Sequence, residues 1–295
     1  MILYPLGMHN RTSLLVPLAG ALLLLTGCQS QLPFATPGPL VRRTAVEAAP
    51  CTDASVLRWC CGPRAHKPLC RRFRVEIEGG PVWQTRNDAA IPGDTGTRFP
   101  LDEVTGAGPF PYGRITLDYM IAPRHSIRGL IAPLEIKETG TLDRNVTFDG
   151  QNFAAGASTR ATFKFNSYRL GYRYLLLCGS DWALNVGVTA KIRDAKIELV
   201  QGGIRGTKTD LGFVPLLHVD FEKRLSDRWR FSLDIDGAAA SQGRAIDLAA
   251  KFHYDLNDRT SVGFGYRTIE GGADNDSAYT FTWLHQALVS LEYRF

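Results

Sequence analysis

The chain ends in a segment, Phe281 to Phe295 (FTWLHQALVSLEYRF), that alternates between two chemistries with a period of two. Phe281, Trp283, His285, Ala287, Val289, Leu291, Tyr293 and Phe295 are mostly apolar, with aromatics at both ends. Thr282, Gln286, Ser290, Glu292 and Arg294 are polar, with Leu284 and Leu288 as exceptions. Successive side chains of a strand point to opposite faces, so this segment has one greasy and one charged side, with aromatics at two levels about a bilayer apart. A strand bordering lipid on one side and a polar lumen on the other requires that division. The predicted fold class is all-β, an antiparallel transmembrane up-and-down barrel.

Ten such segments follow one another from Arg72. They lie near residues 72–82, 113–121, 126–137, 162–177, 182–199, 212–225, 229–237, 245–256, 260–269 and 281–295. Eight or twelve strands would follow if one weak strand were lost or one loop split. The links 122–124, 178–181, 226–228 and 257–259 are short, whereas 83–112, 138–161, 200–211, 238–244 and 270–280 are longer. Short turns on one side and longer loops on the other is the asymmetry of outer-membrane barrels, with the turns in the periplasm. An even count returns both termini to that side.

The facing repeats along the chain. Trp229, Phe231, Leu233 and Ile235 alternate with Arg230, Ser232, Asp234 and Asp236, and Leu217, Val219 and Phe221 with His218, Asp220 and Glu222. Tyr119, Tyr172, Tyr174, Trp182, Phe221, Trp229, Phe252, Tyr254, Tyr293 and Phe295 collect at the periplasmic ends as an interfacial girdle. With the charged face inward, Arg114, Asp118, Arg173, Lys191, Asp220, Glu222, Arg230, Asp234, Asp247, Lys251, Arg267, Glu292 and Arg294 share a narrow lumen. Arg74, Glu76, Glu78, Arg169, Arg193 and Asp236 join them. Unpaired buried charge is costly, so these groups are expected to pair and plug the barrel. A small selective pore lined by the same residues is the alternative. Alternation alone leaves the inner face undefined, and a soluble, lipid-anchored barrel with its apolar face around a ligand is a second alternative.

The N-terminal region has another character. Arg11 precedes the uncharged run Thr12 to Leu25, which is followed by Thr26-Gly27-Cys28. A basic start, a short apolar stretch and small residues form an export signal over 1–27, with Met8 as an alternative start. The run LTGC resembles the bacterial lipobox, which implies acylation of Cys28. An ordinary secretory signal is the competing reading. Residues 28–71 form a periplasmic tether rich in Pro, Ala, Gln and Ser up to Pro50. Cys51, Cys60, Cys61 and Cys70 then suggest two disulfides in an oxidising compartment, with connectivity open and a four-thiolate zinc site as alternative. Cys178 is left over. Between Arg42 and Arg74 eight basic residues face two acidic ones, a local excess of six within a chain of formal charge +5, which gives no case for nucleic-acid binding. Beyond the signal, no apolar run reaches the roughly 20 residues of a membrane helix.

Catalysis finds no pattern strong enough to name a residue. His218 and Asp220 share a face toward the periplasmic half of their strand, His125-Ser126 sits at a periplasmic turn, and His285 faces lipid near the outer leaflet without a serine beside it. A lipid-modifying enzyme is kept as an alternative function. No cofactor or metal is assigned. Glu270 to Ser277 groups oxygen ligands with glycines but lacks the spacing of a calcium loop. Phe99, Phe110 and Tyr112 in the long first loop are candidates for an exposed adhesive surface.

The runs VWQTRNDAAIPGDTGTRF (Val82 to Phe99), HSIRGLIAPLEIKETGTL (His125 to Leu142), KFNSYRLGYRY (Lys164 to Tyr174) and GYRTIEGGADNDSAYTFTWLH (Gly265 to His285) resemble a family of uncharacterised bacterial outer-membrane barrel proteins. The resemblance spans about Arg72 to Phe295 and implies fold and location, not an activity. Expected partners are outer-membrane lipid, lipopolysaccharide and the barrel-assembly machinery, which would read the strand ending at Phe295. The expected location is the outer membrane of a Gram-negative bacterium, in a structural, surface-interaction or restricted-transport role, with oligomeric state open.

Overall fold

A computed structural model of the chain describes residues 72–295 apart from 241 and 242. The signal segment, the tether, Cys28, Cys51, Cys60, Cys61 and Cys70 lie outside the described residues. The elements in order are β1 (Phe73–Ala90), β2 (Phe99–Pro100), α1 (Asp102–Thr105), β3 (Phe110–Ala122), β4 (His125–Ala132), β5 (Glu135–Thr141), β6 (Val146–Phe148), β7 (Gln151–Phe153), β8 (Ser158–Cys178), β9 (Trp182–Gln201), β10 (Ile204–Arg224), β11 (Trp229–Ala240), β12 (Gly243–Asp255), β13 (Thr260–Asn275) and β14 (Ala278–Arg294).

Each strand pairs antiparallel with its neighbour from β8 through β14, and β14 pairs with β1 from Arg74↔Arg294 to Ala90↔Tyr279, which closes the sheet. β4 and β5 are successive parts of one wall, since both pair with β8. The walls are therefore ten: β1, β3, β4 with β5, and β8 to β14. Closure through β4 leaves no edge at that level, and in lipid every backbone group must find its partner within the protein; β5, beyond it, pairs with β8 alone.

The faces sort by chemistry. Leu170, Leu217 and Val289 are 64%, 65% and 65% exposed on the outside, whereas Arg230 and Arg294 are each 1% exposed on the inside. A water-soluble carrier needs the opposite arrangement, so the expectation of an apolar ligand within a soluble barrel is overturned. At the rim of the short turns, the end expected to face the periplasm and called periplasmic below, Trp182 meets Phe221, Trp229 meets Tyr254, and Phe295 meets Phe73 and Tyr293, all within 4.8–6.3 Å between ring centres. Short turns lie at this end. Cys178 enters the second of them along the chain, and it is not left over: it is disulfide-bonded.

The strands run further outward than the sequence suggests. β1 continues past Val82 to Ala90, and β13 past Ile269 to Asn275. Inside this outer extension the chain folds back on itself. The segment holding β2 and α1 and the hairpin β6–β7 pack Phe99, Leu101, Val104, Leu142, Phe148 and Phe153 against Val82, Phe163, Ile197 and Leu199 of the walls. Phe99 is 1% exposed within this cap, and Phe110 and Tyr112 of β3 pack against the same core, so these aromatics do not make the exposed adhesive surface expected above.

Candidate functional site

Below the cap, the inward side chains of the membrane span form two connected tiers of ions. Side chains at i, i+2 and i+4 point inward along each wall, so the alternation that gives lipid its apolar face delivers a charge to the lumen at every second residue. In the periplasmic tier Asp118 of β3 accepts from Arg74 at 2.6 Å, Arg128 at 2.8 Å and Arg173 at 2.5 Å. Arg128 reaches on to Asp234 and Arg173 to Asp220 at 2.8 Å. Beside them Arg230 bridges Glu222 at 2.9 Å and Glu292 at 2.8 Å, and Arg294 pairs with Glu292 and Asp255.

The outer tier centres on Asp247 of β12. It accepts from Arg267 at 2.6 Å, Arg169 at 2.6 Å and Arg114 at 3.0 Å, and Arg169 also holds Asp236 at 2.6 Å. Glu78 takes Arg267 at 3.0 Å, while Lys251 donates to Glu76 at 2.7 Å. His218 completes the tier with Nδ1 at 2.8 Å from Asp236. Several of these bonds cross the lumen between walls that are not neighbours: Arg114 to Asp247 joins β3 to β12, Arg169 to Asp247 joins β8 to β12, and Arg128 to Asp234 joins β4 to β11. A small cavity of 90 Å³ lies on the periplasmic side, lined by Arg72, Arg74 and His125 among others.

The lumen residues named from sequence all line this interior, but Lys191 and Arg193 stand apart from the tiers. Arg128 was missed. Its wall reads Ile127, Arg128, Gly129, Leu130 and Ile131, and the apolar Leu130 on the inner side hides the alternation.

Two groups of potential metal ligands occur among the described residues, Glu76 with His253 and Glu292, and His218 with Asp220 and Asp234. Their carboxylates already hold Lys251, Arg230, Arg173 and Arg128. A divalent cation would sit against those side chains, so the donor sets do not fit one. The other singled-out histidines are hydroxyl-bonded at the surface. His125 Nδ1 lies 2.6 Å from the Tyr172 hydroxyl. His285 Nε2 lies 2.9 Å from Thr85 Oγ1, with Tyr266 on Nδ1. Nothing in the alternation points to Thr85, because it sits in a bulge between the paired residues Gln84 and Arg86, 200 positions from its partner. Both ring nitrogens are taken by hydroxyls and, among the described residues, no carboxylate bonds the ring; we read it as an interfacial anchor. At the β13–β14 tip Asn275 Oδ1 accepts from Ser277 and Ala278, and Glu270 pairs with Arg244 of the neighbouring β12, so these oxygens serve the hairpin and its junction with β12.

Above the outer tier a cavity of 230 Å³ lies beside the cap and reaches the exposed hairpin residues Asp210, Asn275 and Ser277. Its walls carry Phe163, Phe165, Ile197, Val214, Leu216 and Ile269. Six cations and four carboxylates line it. Arg169 holds Asp236 and Asp247, Arg193 holds Asp210, Arg244 holds Glu270, and Lys164 holds Asp194 at 2.8 Å. Lys191 and Lys208 have no carboxylate within 4.0 Å among the described residues. Lys191 is 4% exposed, and its ammonium lies over the Phe165 ring, 4.8 Å from the centroid.

A closed barrel with a lipid-facing apolar belt and an ionic interior defines an outer-membrane β-barrel. No protein-family model matches the chain, and no curated protein does. Among solved structures it is similar to the outer membrane protease OmpT from Escherichia coli, with 11% identity and a TM-score of 0.46 over 76% of this chain and 97% of that one. It is also similar to Neisserial surface protein A (10%, TM-score 0.34, 76% and 97%) and to Ail, the attachment invasion locus protein of Yersinia pestis (10%, TM-score 0.32, 76% and 99%). At these values the likeness concerns barrel architecture alone.

Proposed function

We propose that this protein is a closed, non-conducting outer-membrane barrel that works from its outer face, as a surface-binding protein rather than a pore. The observation that supports it is the set of cross-lumen ion pairs, Arg114 and Arg169 to Asp247 and Arg128 to Asp234, which tie non-adjacent walls together at hydrogen-bond distance. An ion passing through would have to separate buried pairs whose members are left uncompensated, which is strongly unfavourable. The outer end, by contrast, carries a packed cap and a cavity open to the exterior. In this reading the barrel sits in a Gram-negative outer membrane with the N-terminal segment in the periplasm. Lipopolysaccharide borders the outer belt, and the assembly machinery engages β14 with Phe295.

The test is conductance of the purified full-length chain in planar bilayers. Traces at the level of the bare membrane support the reading. Discrete, stable openings would overturn it in favour of a selective channel.

A further inference from the structure

We propose that the outer cavity is a binding site for a small organic acid, its anionic group seated on Lys191 and its apolar body against the Phe165, Ile197, Val214 and Ile269 wall. Lys191 is the observation that carries this. A buried ammonium group is retained when an anion compensates it, and every other cation in the membrane-level lumen has one. Lys191 faces the cavity instead: it lies over the Phe165 ring, an interaction that orients an ammonium without neutralising it, and Asp247, whose attraction reaches it, is already bonded to Arg114, Arg169 and Arg267. Lys208, also on the lining, supplies a second uncompensated cation toward the mouth. The chemistry of the wall selects among anions. An inorganic ion would leave the apolar residues facing water, whereas a carboxylate on a ring satisfies both halves, and a few placed polar groups in an otherwise apolar concavity is the usual composition of a small-molecule site.

The inference rests on the outer-face reading of function, but its test is separable, because binding is measured without reference to conductance. The full-length chain in a maltoside detergent is titrated by calorimetry with 2-naphthoate, with its uncharged analogue 2-naphthalenemethanol, and with inorganic phosphate. The expected result is saturable binding of 2-naphthoate, weaker by about tenfold or more for the alcohol and for phosphate, a gap worth one decade of affinity for the missing half of the ligand. Lys191→Met, which keeps the length of the side chain and removes its charge, is expected to lower 2-naphthoate affinity by about tenfold while leaving the alcohol unchanged. Leu216→Trp, which fills the cavity, is expected to abolish binding of both, and a boiling-dependent gel shift verifies that each variant is folded. Failure of the parent protein to bind 2-naphthoate, equal binding by Lys191→Met, or phosphate binding as tight as 2-naphthoate would each overturn the proposal. A protein that binds 2-naphthoate through Lys191 and also conducts would retain this site and lose the closed-barrel reading.

Discussion

The membrane-level interior contains two kinds of buried cation, and their substitution should have opposite consequences. Lys251 donates to Glu76 at 2.7 Å and lies 3.5 Å from Glu78. Lys251→Met therefore strands carboxylates in a water-poor interior, and an expected loss of about 3–5 kcal/mol should appear in urea unfolding from lipid vesicles. Adding Glu76→Gln removes the stranded charge and should recover most of that loss. Lys191 has no carboxylate within 4.0 Å among the described residues and feels Arg169, Arg193 and Arg114 as well as Asp247, so Lys191→Met should leave stability unchanged or raise it by about 1 kcal/mol. A large loss at Lys191 would mean that an anion already neutralises it within the chain. At this scale the sequence was informative about parity and silent about pairing. Alternation places Lys191 and Lys251 on the inner face alike, but which carboxylate each meets depends on contacts between walls up to 175 positions apart.

Individual strands show why their outer ends were illegible. In β9, Val186, Val188 and Ile192 face lipid while Asn185, Thr189, Lys191 and Arg193 face the lumen; beyond Asp194 the same parity carries Ile197 and Leu199 inward and Lys196 and Glu198 outward. β8 inverts likewise, with Tyr168, Leu170 and Tyr172 outward below and Phe163 and Ala161 inward above. Each strand leaves the bilayer at the inversion, where the outer face meets water and the inner face meets the cap. A search for apolar-outward alternation stops there, which is why β1 and β13 were ended at Val82 and Ile269. The cap is seated by two close approaches to the strands. A Cβ on Gly140 of β5 would lie 2.6 Å from the Val104 carbonyl oxygen, and one on Gly206 of β10 would lie 2.9 Å from both the ring and the carbonyl oxygen of Phe148. Gly140→Val with Gly206→Val should displace the cap at a cost on the order of 1–3 kcal/mol per site while leaving the membrane strands paired. The expected outcome is new trypsin cleavage after Arg98 or Arg144 in a protein that still shows the boiling-dependent gel shift. Loss of that shift would instead make the cap part of the barrel's own folding unit.

Across the whole molecule the two ionic tiers act as barriers in series between the periplasmic cavity and the outer one. The outer tier turns on Asp247 and Arg169 and the periplasmic tier on Asp118 and Arg128, and each joins walls that the backbone ladder does not. Series barriers give a non-additive result. Arg169→Ser with Asp247→Ser removes matched charges from the outer tier only, so the periplasmic tier still blocks the path and bilayer conductance should stay at the bare-membrane level. Arg128→Ser with Asp118→Ser should be equally silent for the converse reason. All four changes together remove both constrictions and should yield resolvable openings, with urea unfolding showing a destabilised but folded barrel because the cross-lumen ties are gone. Conductance from either pair alone would place the whole constriction in one tier, and silence from all four would move it to the lumen pairs left in place, Arg230 with Glu222 and Glu292, since the cavity beside the cap is already open to the exterior.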